Sequence, residues 1–247
     1  MLSHLMLPTG STVSSIKKLL LTKKPMILWD IHGTLAQVDI KEHNQVYNKY
    51  QYLFSPAHIN QIITENPKFA ADWAAIPVNS SAEIYGDVAK KHGYQEEACA
   101  LYELGDTYNP MPDIEHVVRS LADQNISQRI GSNIGIHQLE KLKKRFIAQK
   151  SLLFSLIKEG KIAHTCSSDT SSQHAISQCE YSKPDPRFFT AFNDTYNKTG
   201  SYLTILIDDK KENIDAALKI PNFIGILFLN ATQVYQDLQI VGVLPYP

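Results

Sequence analysis

Short apolar runs that each stop at polar residues, separated by amphipathic stretches, constrain this chain more than any other feature. The run 25–29 (PMILW) ends at Asp30, Ile31, His32, Gly33 and Thr34. The run 202–207 (YLTILI) ends at Asp208 and Asp209, and a short strand read at 128–131 (QRIG), itself not apolar, ends at Ser132 and Asn133. Strands that are apolar along their whole length are covered on both faces, which is the condition of a parallel sheet packed between helices. Helical patterns at 112–122, 136–148, 186–196 and 213–219 supply that cover, and 161–166 and 223–229 (FIGILFL) read as further strands. The predicted fold class is α/β, a doubly wound parallel sheet. Ligands of such sheets sit beyond the carboxyl ends of the strands. Asp30, His32, Ser132, Asn133, Asp208 and Asp209 leave three different strands and should converge on one crevice.

Between 41 and 109 the composition shifts to Tyr, Asn, Gln and Ala at helical spacing, with helices over 81–92 and 95–104 that stop at Gly93 and Gly105. The stretch holds no convincing strand. It reads as an all-helical insertion, with Trp73, Tyr47, Tyr50 and Tyr52 as its core. The expected division is an N-terminal arm at 1–24, a core at 25–40 and 110–247, and the helical insertion at 41–109. The arm carries a short helix capped by Ser14 or Ser15, whose KKLLLTKK stretch reads as an amphipathic strut. The segment 167–182, rich in Ser and Gln, reads as a loop.

Composition narrows the function classes. The 247 residues carry a formal net charge of -1, which gives no general attraction for nucleic acid or an anionic membrane surface. With 43% hydrophobic residues a sizeable core can form. Cys99, Cys166 and Cys179 are odd in number and widely spaced, as in a reduced, cytoplasmic protein. No apolar run reaches the ~18 residues of a membrane-spanning helix, and the N-terminus lacks a signal-peptide pattern. His164, Cys166, His174 and Cys179 match no zinc spacing. Ser168, Asp169 and His174 lack a nucleophile-elbow context and read as a solvated loop.

Four motifs in order carry a resemblance: DIHGTL at 30–35, GSN at 131–133, SKPDPRFF at 182–189 and LIDDKKENIDAA at 206–217. The chain resembles the haloacid dehalogenase (HAD) superfamily. It is most similar to the group of bacterial sugar-phosphate phosphatases and the N-terminal phosphatase domain of soluble epoxide hydrolase. The resemblance implies a Rossmann-like core with an inserted helical cap, and a Mg²⁺-dependent phosphomonoesterase acting on a small phosphorylated metabolite. It makes Asp30 the nucleophile that forms an aspartyl-phosphate. Mg²⁺ would be held by Asp30, Asp209 and the backbone carbonyl of His32, with Asp208 close by. Lys183 would neutralise the charge on Asp30 and the phosphoryl oxygens. Ser132 and the backbone N–H of Asn133 would donate to an equatorial oxygen. Asn213 would order the acidic loop, Gly33 would let the backbone approach the phosphate, and Thr34 would fix its loop. The cap would choose the substrate, through segments around 45–54 and 94–106.

His32 departs from the pattern, which has a second Asp there as acid and base. Histidine can perform both roles near neutral pH, but a nearby cation disfavours its protonated form. Two readings stay open: a working hydrolase with altered acid–base chemistry, or a catalytically impaired protein that binds phosphate groups or a protein partner. Carbon–halogen hydrolysis is a third, although that chemistry uses no metal and leaves the Asp208–Asp209 pair unexplained. Ile220-Pro221-Asn222 also replaces the usual glycine turn, and the long stretch before Lys183 could displace that lysine.

Overall fold

The computed structural model describes residues 4–76, 82–134, 136–156, 164–165 and 181–246. The chain begins with β1 (Leu5–Met6), α1 (Val13–Leu20), β2 (Lys24–Trp29) and β3 (Ala36–Val38). Five helices follow: α2 (Ile40–Lys49), α3 (Pro56–Glu65), α4 (Pro67–Ala74), α5 (Ala82–Lys91) and α6 (Gln95–Gly105). The chain returns through β4 (Tyr108–Pro110), α7 (Ile114–Asp123), β5 (Ser127–Ser132), α8 (Ile136–Ala148), α9 (Leu153–Leu156) and β6 (His164–Thr165). It ends with α10 (Pro186–Tyr196), β7 (Tyr202–Asp208), α11 (Lys211–Ala217), β8 (Phe223–Leu227) and α12 (Ala231–Val241).

Among the described residues, the main sheet has the order β1-β8-β7-β2-β5-β6, parallel throughout except for β1. Strand alternation builds two helical layers. Ile27 and Trp29 of β2, with Leu203, Ile205 and Ile207 of β7, face a cluster filled by α1, α7, α8 and α12. Met26, Leu28 and Leu206 face the opposite cluster, filled by Phe188, Phe189 and Phe192 of α10 and Ile214 of α11. The doubly wound α/β class read from the apolar runs is therefore the fold. From β2 the chain steps one way to β5 and β6, and β7 and β8 lie on the other side. The crevice between β2 and β7 is the switch point where such sheets bind ligands.

Close packing fixes one glycine. A Cβ at Gly225 of β8 would lie 2.1 Å from Cγ2 of Ile214 on α11. Gly225→Ala should push α11 off the sheet and cost about 1–3 kcal/mol, read as a lower urea midpoint with unchanged m-value.

Several expectations need correction. The arm is part of the sheet, because β1 pairs with β8 and Leu227 N donates to His4 O at 3.0 Å. The cap of α1 is Thr12, whose Oγ1 accepts from Ser15 N while Ser15 Oγ accepts from Thr12 N in a capping box. The stretch 41–109 is not free of strand, since β4 starts at Tyr108 and pairs with β3. Pro112 does not open α7. Asp113 stands before that helix with φ 58°, which puts Ile114 first. α11 starts at Lys211 rather than Asn213, because its cap Lys210 gives no side-chain signal. α12, capped by Asn230, was not anticipated. In the insertion Tyr50 is buried, but Tyr47 and Tyr52 are 45% and 50% exposed and are not core. Of the strand expected at 161–166, His164–Thr165 is described and pairs with β5. Of the loop read at 167–182, residues 167–180 lie outside the described residues, as do Cys166, Ser168, Asp169, His174 and Cys179. No helix among the described residues is long and apolar enough to cross a membrane.

Candidate active site

Asp30 extends the ladder beyond β2, its N–H donating to Ile207 O at 3.0 Å. The chain then turns back on itself. Leu35 N and Ala36 N both donate to Ile31 O, at 2.9 and 2.8 Å, and Gly33 N donates to Ala36 O at 2.7 Å. Gly33 sits at φ +82°, and a Cβ there would lie 2.4 Å from Asp209 Oδ2. Both the backbone and the neighbouring acid therefore require glycine. Thr34 does not fix the loop as expected: it is wholly buried and its Oγ1 has no hydrogen-bond partner.

Lys183, 2% exposed, joins the two sides of the crevice. Its Nζ donates to Asp30 Oδ1 at 2.8 Å and to Asp208 Oδ2 at 2.6 Å. The long preceding stretch has not displaced it. Asn133 holds it from behind, accepting from Lys183 N at 2.9 Å through Oδ1 and donating to Lys183 O at 2.8 Å through Nδ2. The Asn133 side chain thus positions Lys183 rather than facing a ligand. Ser132 lies beside it, buried at the end of β5.

The two adjacent acids differ in their bonding. Asp208 is fully engaged: Oδ1 accepts from Lys210 N and Asn213 Nδ2, both at 2.9 Å, and Oδ2 accepts from Lys183 and from Asn213 Nδ2 at 3.0 Å. Asp209 Oδ1 is buried with no partner. One carboxylate oxygen from each of Asp30, Asp208 and Asp209 lies within 4.8 Å of the others.

The electrostatics follow from this crowding. Burial would pull the Lys183 ammonium down, but the carboxylates of Asp208 and Asp30 outweigh it and hold its pKa above the ordinary lysine value. Burial raises the Asp208 carboxyl, against the opposing pull of Lys183 and with added repulsion from Asp30. Asp209 is pushed up to about 6, by burial first and then by Asp30 and Asp208. Three carboxylates face one bonded ammonium, and a buried carboxylate oxygen lacks a donor. An all-oxygen set with excess negative charge fits a hard divalent cation such as Mg²⁺.

His32 lies in the loop after Asp30 with its Nε2 buried and without a partner. Its pKa is lowered to about 4, by burial first and then by Lys183 and Lys210. Its ring lies against that of Tyr108, with centroids 4.4 Å apart and planes tilted by 42°. Tyr108 is not among the site residues that the sequence suggests, because the helical insertion reads through 109. The short extended stretch Thr-Tyr-Asn-Pro was the available signal. Burial and the charges of Asp30 and Asp209 raise the Tyr108 phenol, which keeps it protonated at neutral pH.

No protein-family model matches the chain, and no curated protein matches it. Solved structures do. A HAD family hydrolase from Deinococcus radiodurans, with bound phosphate and sodium, is 14% identical with a TM-score of 0.52 over 92% of this chain and 100% of that one. The HAD-hydrolase YfnB from Bacillus subtilis, bound to magnesium, is 15% identical with a TM-score of 0.49 over 87% and 99%. L-2-haloacid dehalogenase from Xanthobacter autotrophicus is 13% identical with a TM-score of 0.47 over 90% and 85%. This chain therefore has the fold of the HAD-like hydrolases, a Rossmann-like α/β core carrying a helical insertion.

Proposed function

We propose that the protein is a Mg²⁺-dependent phosphomonoesterase acting on a small phosphorylated metabolite through an aspartyl-phosphate at Asp30. The observation that carries this reading is the Lys183 ammonium fixed between Asp30 and Asp208, with the unpartnered Asp209 beside them. The Deinococcus hydrolase of the same fold was solved with both an anion and a cation bound, which supports an anion-plus-cation site here.

Asp30 and Asp209, with Asp208 behind them, would hold Mg²⁺, which supplies positive charge to the phosphoryl oxygens. An oxygen of Asp30 attacks phosphorus, the bond to the ester oxygen breaks, and the leaving alkoxide takes a proton from solvent water. Water then attacks the aspartyl-phosphate, the Asp30 carboxylate is released with inorganic phosphate, and the water's proton passes to a base. Lys183 aligns the Asp30 carboxylate for attack and offsets negative charge beside the phosphoryl group. Ser132 donates to a phosphoryl oxygen. His32 takes the place of the acid and base, and in its neutral form it accepts the water's proton. Helices α2–α6 act as the cap, and the segments 45–54 and 94–106 select the substrate.

The test is hydrolysis of p-nitrophenyl phosphate with Mg²⁺ and with EDTA, for the wild type and His32→Asp. Turnover that requires Mg²⁺, and that changes little or falls in His32→Asp, is expected. A silent wild type that gains turnover in His32→Asp would favour the impaired, phosphate-binding reading instead. Halide release from a 2-haloacid, indifferent to EDTA, would replace the phosphatase reading altogether.

Metal binding should also depend on pH in a defined direction. The Asp209 carboxyl has a folded pKa near 6, above its unfolded value, so its neutral form favours the fold. That contribution is present below the unfolded pKa of about 4 and is lost as pH rises through about 6. A cation needs the ionised form. The rise in melting temperature caused by Mg²⁺ should therefore be larger at about pH 7.5 than at about pH 5. Equal rises at both pH values would remove Asp209 from the metal site.

A further inference from the structure

We infer that Tyr108 is the positioning residue for His32, and that through it the helical insertion sets the orientation of the side chain that stands where an acid–base group is needed. The inference rests on the proposed phosphatase reading and adds a residue to it.

β4 is where the chain re-enters the core from the insertion, and it pairs with β3, where the chain left it, in the register Val38 opposite Tyr108 and Gln37 opposite Asn109. Successive side chains of a strand point to opposite faces. Tyr108 is turned inward, its ring 4.4 Å from that of His32. Its neighbours are tied elsewhere. Thr107 Oγ1 donates to Leu104 O at 2.8 Å and lies 3.3 Å from His43 Nδ1 of α2. Asn109 Nδ2 donates to Asp39 Oδ2 at 2.7 Å, and its Oδ1 accepts from Arg145 Nη2 at 3.2 Å and Gln149 Nε2 at 2.6 Å. Arg145, on the core helix α8, also donates to Asp106 O at 2.5 Å and to Glu42 of α2. The outer face of this two-stranded ribbon is thus clasped to α8 and α2, and its inner face carries the tyrosine.

His32 is restrained by ring packing rather than by a hydrogen bond at Nε2. Its Nε2 is buried without a partner, and among the described residues the aromatic ring against it is that of Tyr108. An imidazole with two free torsions needs a wall to hold one orientation, and ring-on-ring packing is a directional one. The wall belongs to the connection with the insertion rather than to the loop of Asp30. A shift of the insertion that moves the ribbon therefore moves the support of His32, while Asp30 and Lys183, held by β2, β7 and Asn133, stay in place. This separates the two halves of the reaction machinery: nucleophile and cation are built into the sheet, and the acid–base side chain is set from the ribbon.

The experiment is a double-mutant cycle with a structural arm. Tyr108→Ala and Tyr108→Phe are made in the wild type and in His32→Ala, and kcat and KM for p-nitrophenyl phosphate are measured with Mg²⁺. Tyr108→Ala should lower kcat by about 10–100-fold, part of what general acid–base help contributes, with KM nearly unchanged. Phenylalanine should restore most of that loss because it keeps the ring. In the His32→Ala background, Tyr108→Ala should have no further effect, since coupled residues are not additive. Additive losses, or a Tyr108→Phe variant as slow as Tyr108→Ala, would overturn the inference. Crystal structures of the wild type and Tyr108→Ala decide the point without turnover. The His32 ring should leave its wild-type position in the variant, and an unmoved ring overturns the inference. A wild type that hydrolyses no phosphate ester would instead defeat the phosphatase reading, and the crystal arm would still judge Tyr108.

Discussion

Lys183→Met is expected to destabilise the protein by about 3–5 kcal/mol, the range for removing one partner of a buried ion pair, and to reduce Mg²⁺-dependent turnover by about 10³-fold. The lysine is buried and bonded to both Asp30 and Asp208. Methionine preserves much of its volume, so the loss is electrostatic rather than a cavity effect. Without the ammonium, two buried carboxylates face each other with nothing between them. One must take up a proton or the loops must part. Saturating Mg²⁺ should return some of the lost melting temperature, because a cation can replace part of the missing charge. A variant that melts like the wild type would show that the carboxylates are not held together by this ammonium.

Asp30→Asn should act with opposite signs on the two observables. It should cut turnover by at least about 10³-fold, since an amide oxygen cannot serve as the nucleophile. Stability without metal should be kept, or should rise by about 1 kcal/mol, since the cluster loses one of three mutually repelling acids while Lys183 retains Asp208. Stabilisation by Mg²⁺ should shrink as well. Urea unfolding, thermal melting with and without Mg²⁺, and the esterase assay on one preparation separate these effects. Loss of activity together with loss of stability would mean that Asp30 holds the structure rather than attacks phosphorus. The contrast with Lys183→Met is the useful part: two variants in direct contact, both inactive, moving stability in opposite directions.

The sequence carried the core through its apolar runs. β2, β7 and β8 were legible because strands buried on both faces read as nearly unbroken apolar runs, β5 only from its place between helical stretches, since Ser127, Gln128 and Arg129 interrupt it, and α10 was legible to the residue because Asp185 caps it and Pro186 opens it. The acids at the strand ends were legible for the same reason. What escaped notice had weak local signals. β1 spans two residues and β3 and β4 three each, too short for periodicity to declare them. Tyr108 escaped with β4. The bonding that distinguishes Asp208 from Asp209 was illegible in principle, because two adjacent identical residues differ only in which of them Lys183, Asn213 and Lys210 can reach. The role of the Asn133 side chain, gripping both main-chain groups of Lys183, likewise depends on a contact fifty positions away.

The pairing of β1 with β8 has a consequence for how the molecule behaves among copies of itself. A parallel sheet that ended at β8 would offer its outer row of amide and carbonyl groups to any extended segment that drifted past. Leu5 and Met6 occupy part of that row instead, opposite Ile226 and Gly225 and antiparallel to them. They also seal the corner: Leu5 packs against the cluster on one side of the sheet and Met6 against the cluster on the other. Leu5 and Met6 thus cover a stretch of the β8 edge that would otherwise be open to pairing with another copy.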